Sequence, residues 1–284
     1  MFKSLSKEVS AGTCPYCDSY SFVYEFDDKK MFLCHMCQRH IQYEKVKWNA
    51  GNDNNMVVSN SAVQRVSVNY SSVLQSCIKL SDLHSDHACI QYVQLRKIPD
   101  SVYSDLYYCE DFREVAAPAG VQVQQSARLI LPFIDENNQL FGLQGRSLDG
   151  SEPRYITIMY KDNEEKIFGK HKVDMTKPFY CVEGPIDSLF LKNCVAMAGS
   201  DGLANKYKTS AVMCLDNEPR NNQIVAKLEK HINDGFKVVV WPDNIQQKDI
   251  NDMIQKGVDV QHVVEQNTLA GLAAKIKFNS WKKV

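Results

Sequence analysis

The sequence predicts a mixed fold, α+β with an α/β half, in which a largely parallel sheet follows a small module held by cysteines. Three observations predict it. Strand-like and helix-like segments alternate from residue 178 onward, two of those strands run into acidic residues, and two C-x2-C pairs stand near the N-terminus. At 284 residues the chain has room for about two domains. Its 44% apolar and 24% charged residues describe a folded chain, and a formal net charge of -1 excludes a uniformly basic nucleic-acid binder, so any basic surface must be local. No apolar run approaches the roughly 18 residues that span a bilayer. The opening "MFKSLSKEVSAGTC" lacks the apolar core of a signal peptide, so a cytoplasmic protein with no membrane partner is expected. Ten cysteines in a reducing compartment then point to metal before disulfides.

Cys14 and Cys17 ("CPYC") and Cys34 and Cys37 ("CHMC") form two pairs with sixteen residues between them. Two such knuckles supply four thiolates to one tetrahedral Zn²⁺. A module of about 45 residues buries little core, and structural zinc contributes on the order of 10–16 kcal/mol of apparent binding energy. "SYSFVYEF" and "KKMFLC" fit a hairpin between the knuckles, and the neighbouring His35 and His40 are not needed once four thiolates are in place. Tyr16, Tyr20, Phe22 and Phe32 either pack around the metal or offer stacking faces to bases. The other six cysteines, Cys77, Cys89, Cys109, Cys181, Cys194 and Cys214, sit singly, several within apolar runs, and read as small core residues.

A segment rich in Asn and Ser, from about residue 49 to 75, lacks helical periodicity and reads as a linker. "SDHACIQYVQLRKIP" has helical spacing ended by Pro99, and "RLILPFI", "LFGLQGR" and "RYITIMY" read as strands, the first two joined by the turn "DENNQ". Beyond residue 178 the pattern predicts strands at 179–182, 194–198, 211–215 and 236–241. Helices are predicted at 185–193, near 201–208, at 220–234 and from about 249. In "NTLAGLAAKIKFNSWKKV", Leu269, Leu272, Ala273 and Ile276 share one helical face, with Lys275, Lys277, Lys282 and Lys283 nearby; docking on its own domain is the favoured reading.

Glu183, Asp187, Asp216, Glu218, Asp249 and Asp252 fall at or near the carboxyl ends of these strands, where open α/β sheets bind ligands. Two carboxylates about 4 Å apart repel by roughly 4 kcal/mol at an effective dielectric of about 20. A cation or a shared proton must offset that, and hard oxygen ligands favour Mg²⁺. Helix capping by Asp187 and Asp249 explains those two positions equally well, and spacing leaves both readings open.

"VEGPIDSL", "VMCLDNEPR" and "QKDINDMI" resemble the glutamate, acidic-pair and late-aspartate motifs of a Toprim domain. With the four-cysteine ribbon and the block "GLQGRSLDGSEPRYITI…KIFG", the sequence resembles the DNA primases of T-even-type bacteriophages and, more distantly, DnaG-type and other phage primases, from Cys14 to the closing "LAGLAAKIKF". The resemblance implies a zinc-ribbon template-recognition domain at 1–48 and a flexible linker at 49–75. The N-terminal part of an RNA polymerase core follows at 76–178, a Toprim domain at 179–267 and a tail at 268–284. It implies that Glu183 is a metal ligand or acid–base group and that Asp216 and Glu218 stand for the D-x-D pair that holds Mg²⁺, with glutamate in the second place. Asp249 matches the late aspartate and Asp187 the aspartate of the first helix; Asp243 in "WPDN" fits poorly and stands outside this set. Arg146, Arg154 and Tyr155, with Lys166 and Arg220 as weaker additions, fall where such proteins hold nucleoside triphosphate or template. Arg146 follows a glycine, where backbone can approach a ligand closely.

The implied activity is synthesis of short RNA primers on single-stranded DNA, with one structural Zn²⁺ and two catalytic Mg²⁺, in the cytoplasm of an infected host cell. The sequence has no GxxxxGK[ST] loop, so a replicative helicase is expected on a separate chain, with the C-terminal helix as one surface it could touch. A single-stranded-DNA-binding protein is a further implied partner. A topoisomerase, a recombination mediator and a non-catalytic zinc-ribbon DNA-binding protein share parts of this pattern; the intact acidic set speaks against the last.

Overall fold

The computed structural model describes residues 8–13, 20–26, 29–33, 40–42, 70–161, 164–198 and 205–284, the first four segments by backbone pairing alone. These four are strands β1 (Glu8–Thr13), β2 (Tyr20–Phe26), β3 (Lys29–Leu33) and β4 (His40–Gln42), which form an antiparallel sheet in that order. β2 and β3 make the expected hairpin, with Phe26 opposite Lys29 and Phe22 opposite Leu33. Cys14, Cys17, Cys34 and Cys37 lie outside the described residues. The strand ends that flank them, paired as Thr13 with Tyr20 and Leu33 with His40, lie at one end of the sheet.

A second, antiparallel sheet contains β5 (Ile78–Lys79), β6 (Tyr107–Cys109), β7 (Arg128–Ile134), β8 (Leu140–Ser147) and β9 (Tyr155–Met159), in sequential order. Helix α1 (Ala88–Leu95) and the short α2 (Phe112–Ala116) lie within this half. The β7–β8 turn follows from Asp135, whose Oδ1 accepts from the amides of Asn137 and Gln139, both at 2.9 Å. Side chains alternate across the sheet. On one face Ile130, Leu143, Ile156 and Ile158 pack with Phe112 and Val115 into a small core of their own. On the other, Leu129, Leu131 and Phe133 join the main core shared with the parallel sheet. Gln144 pairs with Leu131 and Thr157, and Arg146 with Leu129 and Tyr155, so all four polar residues share the face that looks toward the parallel sheet.

That third sheet runs β11 (Cys194–Ala196), β10 (Phe179–Val182), β12 (Ala211–Cys214), β13 (Lys237–Val239) and β14 (Thr268–Leu269). Its first four strands are parallel and β14 closes the edge antiparallel. α3 (Pro185–Ser188) follows β10, α4 (Asn222–Asp234) follows β12, and α5 (Ile250–Gln255) and α6 (Val260–Gln266) precede β14. α7 (Gly271–Trp281) comes last. α4 carries the expected pattern: Asn221 caps it by accepting from the Gln223 amide at 3.0 Å, and Gly235 ends it in the left-handed conformation (φ 83°). From β10 the chain goes to one side for β11 and then crosses to the other for β12, so the strand order switches between β10 and β12. Crevices at such a point collect ligands.

Four expectations need correction. The helix predicted over 185–193 is only α3, because the buried Ser188 hydroxyl donates to the Pro185 carbonyl at 2.7 Å and the following amides tighten into i→i+3 bonds. The last part of the predicted linker is structured: residues 70–76 form a 3₁₀ helix whose Val73 is buried in the small core. The boundary that sets 268–284 apart as a tail does not hold, since β14 belongs to the parallel sheet, although α7 docks on its own domain as favoured, through Ala274, Phe278 and Trp281. The predicted apolar face of α7 is therefore the wrong one, as Leu272 and Ile276 are exposed. Five of the six scattered cysteines are buried, and Cys77 is partly so.

Candidate active site

Between the antiparallel and parallel sheets lies a cleft of about 730 Å³. Glu183, Asp187, Asp216, Asp249 and Asp252 line one side, and Arg146, Arg154, Tyr155 and Lys166 line the other. Strand geometry produces the acidic side. Val182 pairs with Cys214 across parallel β10 and β12, so Glu183 and Asp216 emerge at the same edge. The Asp216 amide donates to Glu183 Oε2 at 3.3 Å, and Lys227 of α4 pairs with Glu183 Oε1 at 3.2 Å. One turn of chain later, Asp187 Oδ1 accepts from the Asn251 amide at 2.9 Å, tying α3 to the start of α5. Gly184 makes room for this carboxyl, because a Cβ at that position would sit 2.9 Å from Asp187 Oδ2. Asp249 caps α5 by accepting from the Asp252 amide at 2.7 Å and also lines the cleft, so capping and site roles coincide in one residue.

On the opposite side the Arg146 guanidinium is nearly buried, lies 4.6 Å from the Tyr155 ring centroid and donates through Nε to the Tyr92 hydroxyl at 3.0 Å. Stacking and a hydrogen bond through Nε hold the guanidinium in place while Arg146 lines the cleft. The preceding glycine has a different purpose from the expected one: a Cβ on Gly145 would meet the Phe112 ring at 2.3 Å, so the small residue admits a core ring and no ligand. Arg154 is exposed at the rim.

The structure places Glu218 and Arg220 elsewhere. Both line a neighbouring cleft of about 660 Å³, and Glu218 reaches the main one only through Lys248, whose Nζ lies 3.4 Å away. Sequence reasoning missed Arg96, Gln144, Thr157 and Lys248, which also line the main cleft. Arg96 is fixed reciprocally, with Nη1 donating to Asn251 Oδ1 and its carbonyl accepting from Asn251 Nδ2, both at 2.7 Å. Its position just before Lys97 and Pro99, where a helix stops, was the available signal; the others lacked one.

Burial and the charges of Glu183, Asp187 and Asp249 push the Asp216 carboxyl up to about 8. Burial and Asp249 push Asp187 up to about 7. Each carboxyl thus keeps its proton to a higher pH in the fold than in the unfolded chain, where aspartate titrates near about 4. The folded state binds more protons in that window, so the metal-free protein should lose stability as pH rises from about 4 toward about 8. Thermal melting should show Tm falling between about pH 5 and about pH 8.5, with Mg²⁺ raising Tm more at the higher pH, and Asp216→Asn should flatten the slope. A pH-independent Tm would mean that these acids do not sense one another.

No three His, Cys, Asp or Glu side chains among the described residues gather into a ready-made metal cage. Magnesium does not require one, since it binds through one or two carboxylates and completes its shell with water and phosphate. Glu183 and Asp216 stand at one strand edge, and their repulsion still raises the Asp216 carboxyl despite Lys227 and Lys248 nearby, so as oxygen donors they fit that demand.

Solved structures share this fold of a parallel sheet set against an antiparallel one. The DnaG primase catalytic domain bound to ssDNA superposes with a TM-score of 0.56 at 16% identity, covering 74% of this chain and 80% of that one. The Aquifex aeolicus primase, with its zinc binding and RNA polymerase domains, gives 0.55 at 14% identity, covering 99% of this chain and 88% of that one. In sequence the chain is similar to the DNA primase of Enterobacteria phage T4, 33% identical over 223 residues. That match takes in 74% of this chain and 65% of the phage protein's length. No protein-family model matches. The resemblance to phage and DnaG-type primases and the predicted α/β core are borne out.

Proposed function

We propose that this chain is a DNA primase, a nucleotidyltransferase that makes short RNA primers on single-stranded DNA from ribonucleoside triphosphates. The observation that carries the reading is the single cleft in which Glu183 and Asp216 face Arg146 and Tyr155. In the reaction the 3′-hydroxyl of one ribonucleotide attacks the α-phosphate of another. A new P–O bond forms, the bond to the bridging oxygen breaks, pyrophosphate leaves with that electron pair, and the hydroxyl proton passes to solvent. Arg146, held by Tyr92 and Tyr155, binds triphosphate, with Arg154 and Lys166 at the rim. Glu183 and Asp216 hold Mg²⁺, and Asp187 and Asp249 fix the loops that present them. When bound, two Mg²⁺ ions supply charge neutralisation at the attacking and leaving oxygens. The chain's own contribution is placement: donors and acceptors are fixed before the substrate arrives. Incubating the protein with single-stranded DNA, Mg²⁺ and labelled ribonucleotides should yield short RNAs on a gel; their absence across varied templates would refute the assignment.

Cys14, Cys17, Cys34 and Cys37 hold one Zn²⁺ in a module that reads template. Support comes from the strand ends flanking both cysteine pairs, which lie together at one end of the N-terminal sheet. Template is single-stranded DNA in the cytoplasm of an infected cell, opened by a replicative helicase on another chain and covered by a single-stranded-DNA-binding protein. Cys34→Ser should release the zinc and abolish initiation at preferred template sites, because such modules depend on their metal. A fragment 70–284, which retains Val73, should stay folded, contain no zinc and imitate that variant. Metal analysis and a primer-start assay check both; site-specific initiation without zinc would refute the role.

A further inference from the structure

Asn217 stands between Asp216 and Glu218, and every polar group of its side chain is spoken for. Its Nδ2 donates to the carbonyls of Ile245 at 3.0 Å and Gln247 at 3.1 Å. Its Oδ1 accepts from the indole Nε1 of Trp281 at 3.0 Å, and its backbone amide donates to the Lys248 carbonyl at 2.6 Å. Carbonyls only accept and an indole N–H only donates, so one orientation of the amide satisfies all three side-chain bonds. Two further bonds brace the same loop. Trp241 Nε1 donates to the Leu215 carbonyl at 2.8 Å, and the Lys283 amide donates to the Pro219 carbonyl at 2.8 Å. Trp281 is itself buried at the end of α7, beside Phe278.

We propose that Asn217 and the C-terminal residues Trp281 and Lys283 form a clasp that positions the metal-binding edge of the cleft. The clasp fixes the loop that carries Asp216 against the loop that carries Lys248 and Asp249, and it does so from the side facing away from substrate. The C-terminal segment is then part of the machinery that presents the carboxylates, beyond completing the core. Asn217 and Trp281 are positioning residues; neither lines the main cleft. The inference rests on the reading above in taking Asp216 as a metal ligand, but its first readout does not need primer synthesis.

That readout is Mn²⁺ binding to the full chain, followed by electron paramagnetic resonance, alongside thermal melting. Trp281→Phe keeps a buried ring and deletes one donor, so Mn²⁺ affinity should fall by about three- to tenfold. Asn217→Ala removes the hub and should cost about tenfold or more, in line with the loss of other residues that orient metal ligands. The double variant should bind no more weakly than Asn217→Ala alone, because the two changes break the same bond. Asn217→Asp, isosteric but without the Nδ2 donors, would set a carboxylate against two carbonyl oxygens and should behave like Asn217→Ala. Val115→Ala controls for stability: it opens the separate small core of the antiparallel sheet without touching α7 or Asn217, so it should lower Tm and leave Mn²⁺ affinity unchanged. In primer synthesis, Trp281→Phe should raise the Mg²⁺ concentration needed for half-maximal rate. Wild-type Mn²⁺ affinity in Trp281→Phe, or an equal loss in Val115→Ala, would overturn the clasp. A wild-type protein that binds no Mn²⁺ would overturn the clasp and the magnesium assignment together. Mn²⁺ binding without any primer synthesis would overturn the activity and leave the clasp standing.

Discussion

Glu183→Gln is expected to reduce primer synthesis by about three orders of magnitude, the effect of removing a charge aimed at the reacting groups. The side chain sits where β10 ends, one carboxylate oxygen accepting from the Asp216 amide and the other paired with Lys227. Glutamine has nearly the same volume and still offers one oxygen, so the Asp216 loop stays in place. The amide nitrogen, however, cannot face Lys227 favourably, and one of the carboxylate charges proposed to hold Mg²⁺ is gone. Circular dichroism and zinc content should match wild type while the rate collapses. Near-normal priming would remove Glu183 from the mechanism. The substitution also relieves part of the repulsion on Asp216, so the carboxyl there should titrate at lower pH than in wild type.

Arg146→Ala should lower kcat/KM for ribonucleotide by about a hundredfold, acting mainly through KM. Arg146 is nearly buried, stacked on Tyr155 and tethered to Tyr92, so its geometry is set in advance of any ligand. Arg146→Lys should recover only part of the loss. An ammonium neither stacks on the tyrosine nor presents a planar fork to phosphate. Steady-state kinetics across ribonucleotide concentrations check both variants; an unchanged KM in Arg146→Ala would make the residue a packing element of the two-sheet interface.

Much of this site was legible in the sequence because it follows from local rules. Alternating strand and helix signals gave a parallel sheet, and acids directly after "FYCV" and "VMCL" had to emerge at its carboxyl edge. Arg146 and Tyr155 could be named from their motif, and strand pairing then set them opposite one another on β8 and β9. What stayed hidden depends on tertiary direction. Glu218 lies two residues from Asp216, but the turn held by Asn217 points it into the neighbouring cleft, and no spacing rule reveals that. Leu272 and Ile276 fit a helical stripe, but Phe278 and Trp281 anchor α7, so the larger rings won the buried face. Gly145 looked like a site for close ligand approach and is instead the seat of Phe112, a residue more than thirty positions earlier in the chain. Arg96 reaches the cleft only because Asn251, far along the sequence, holds it.

The account divides one cleft into an arginine side that binds triphosphate and an acidic side that supports the reaction. Equilibrium binding of a non-reactive ribonucleoside triphosphate analogue to the Arg146→Ala and Glu183→Gln variants of this 284-residue chain, at fixed Mg²⁺ and with single-stranded DNA present, tests that division most directly. The prediction is that Arg146→Ala binds the analogue at least about tenfold more weakly than wild type, whereas Glu183→Gln, although inactive, stays within about threefold of it. Unchanged binding in Arg146→Ala, or full priming activity in Glu183→Gln, would contradict it.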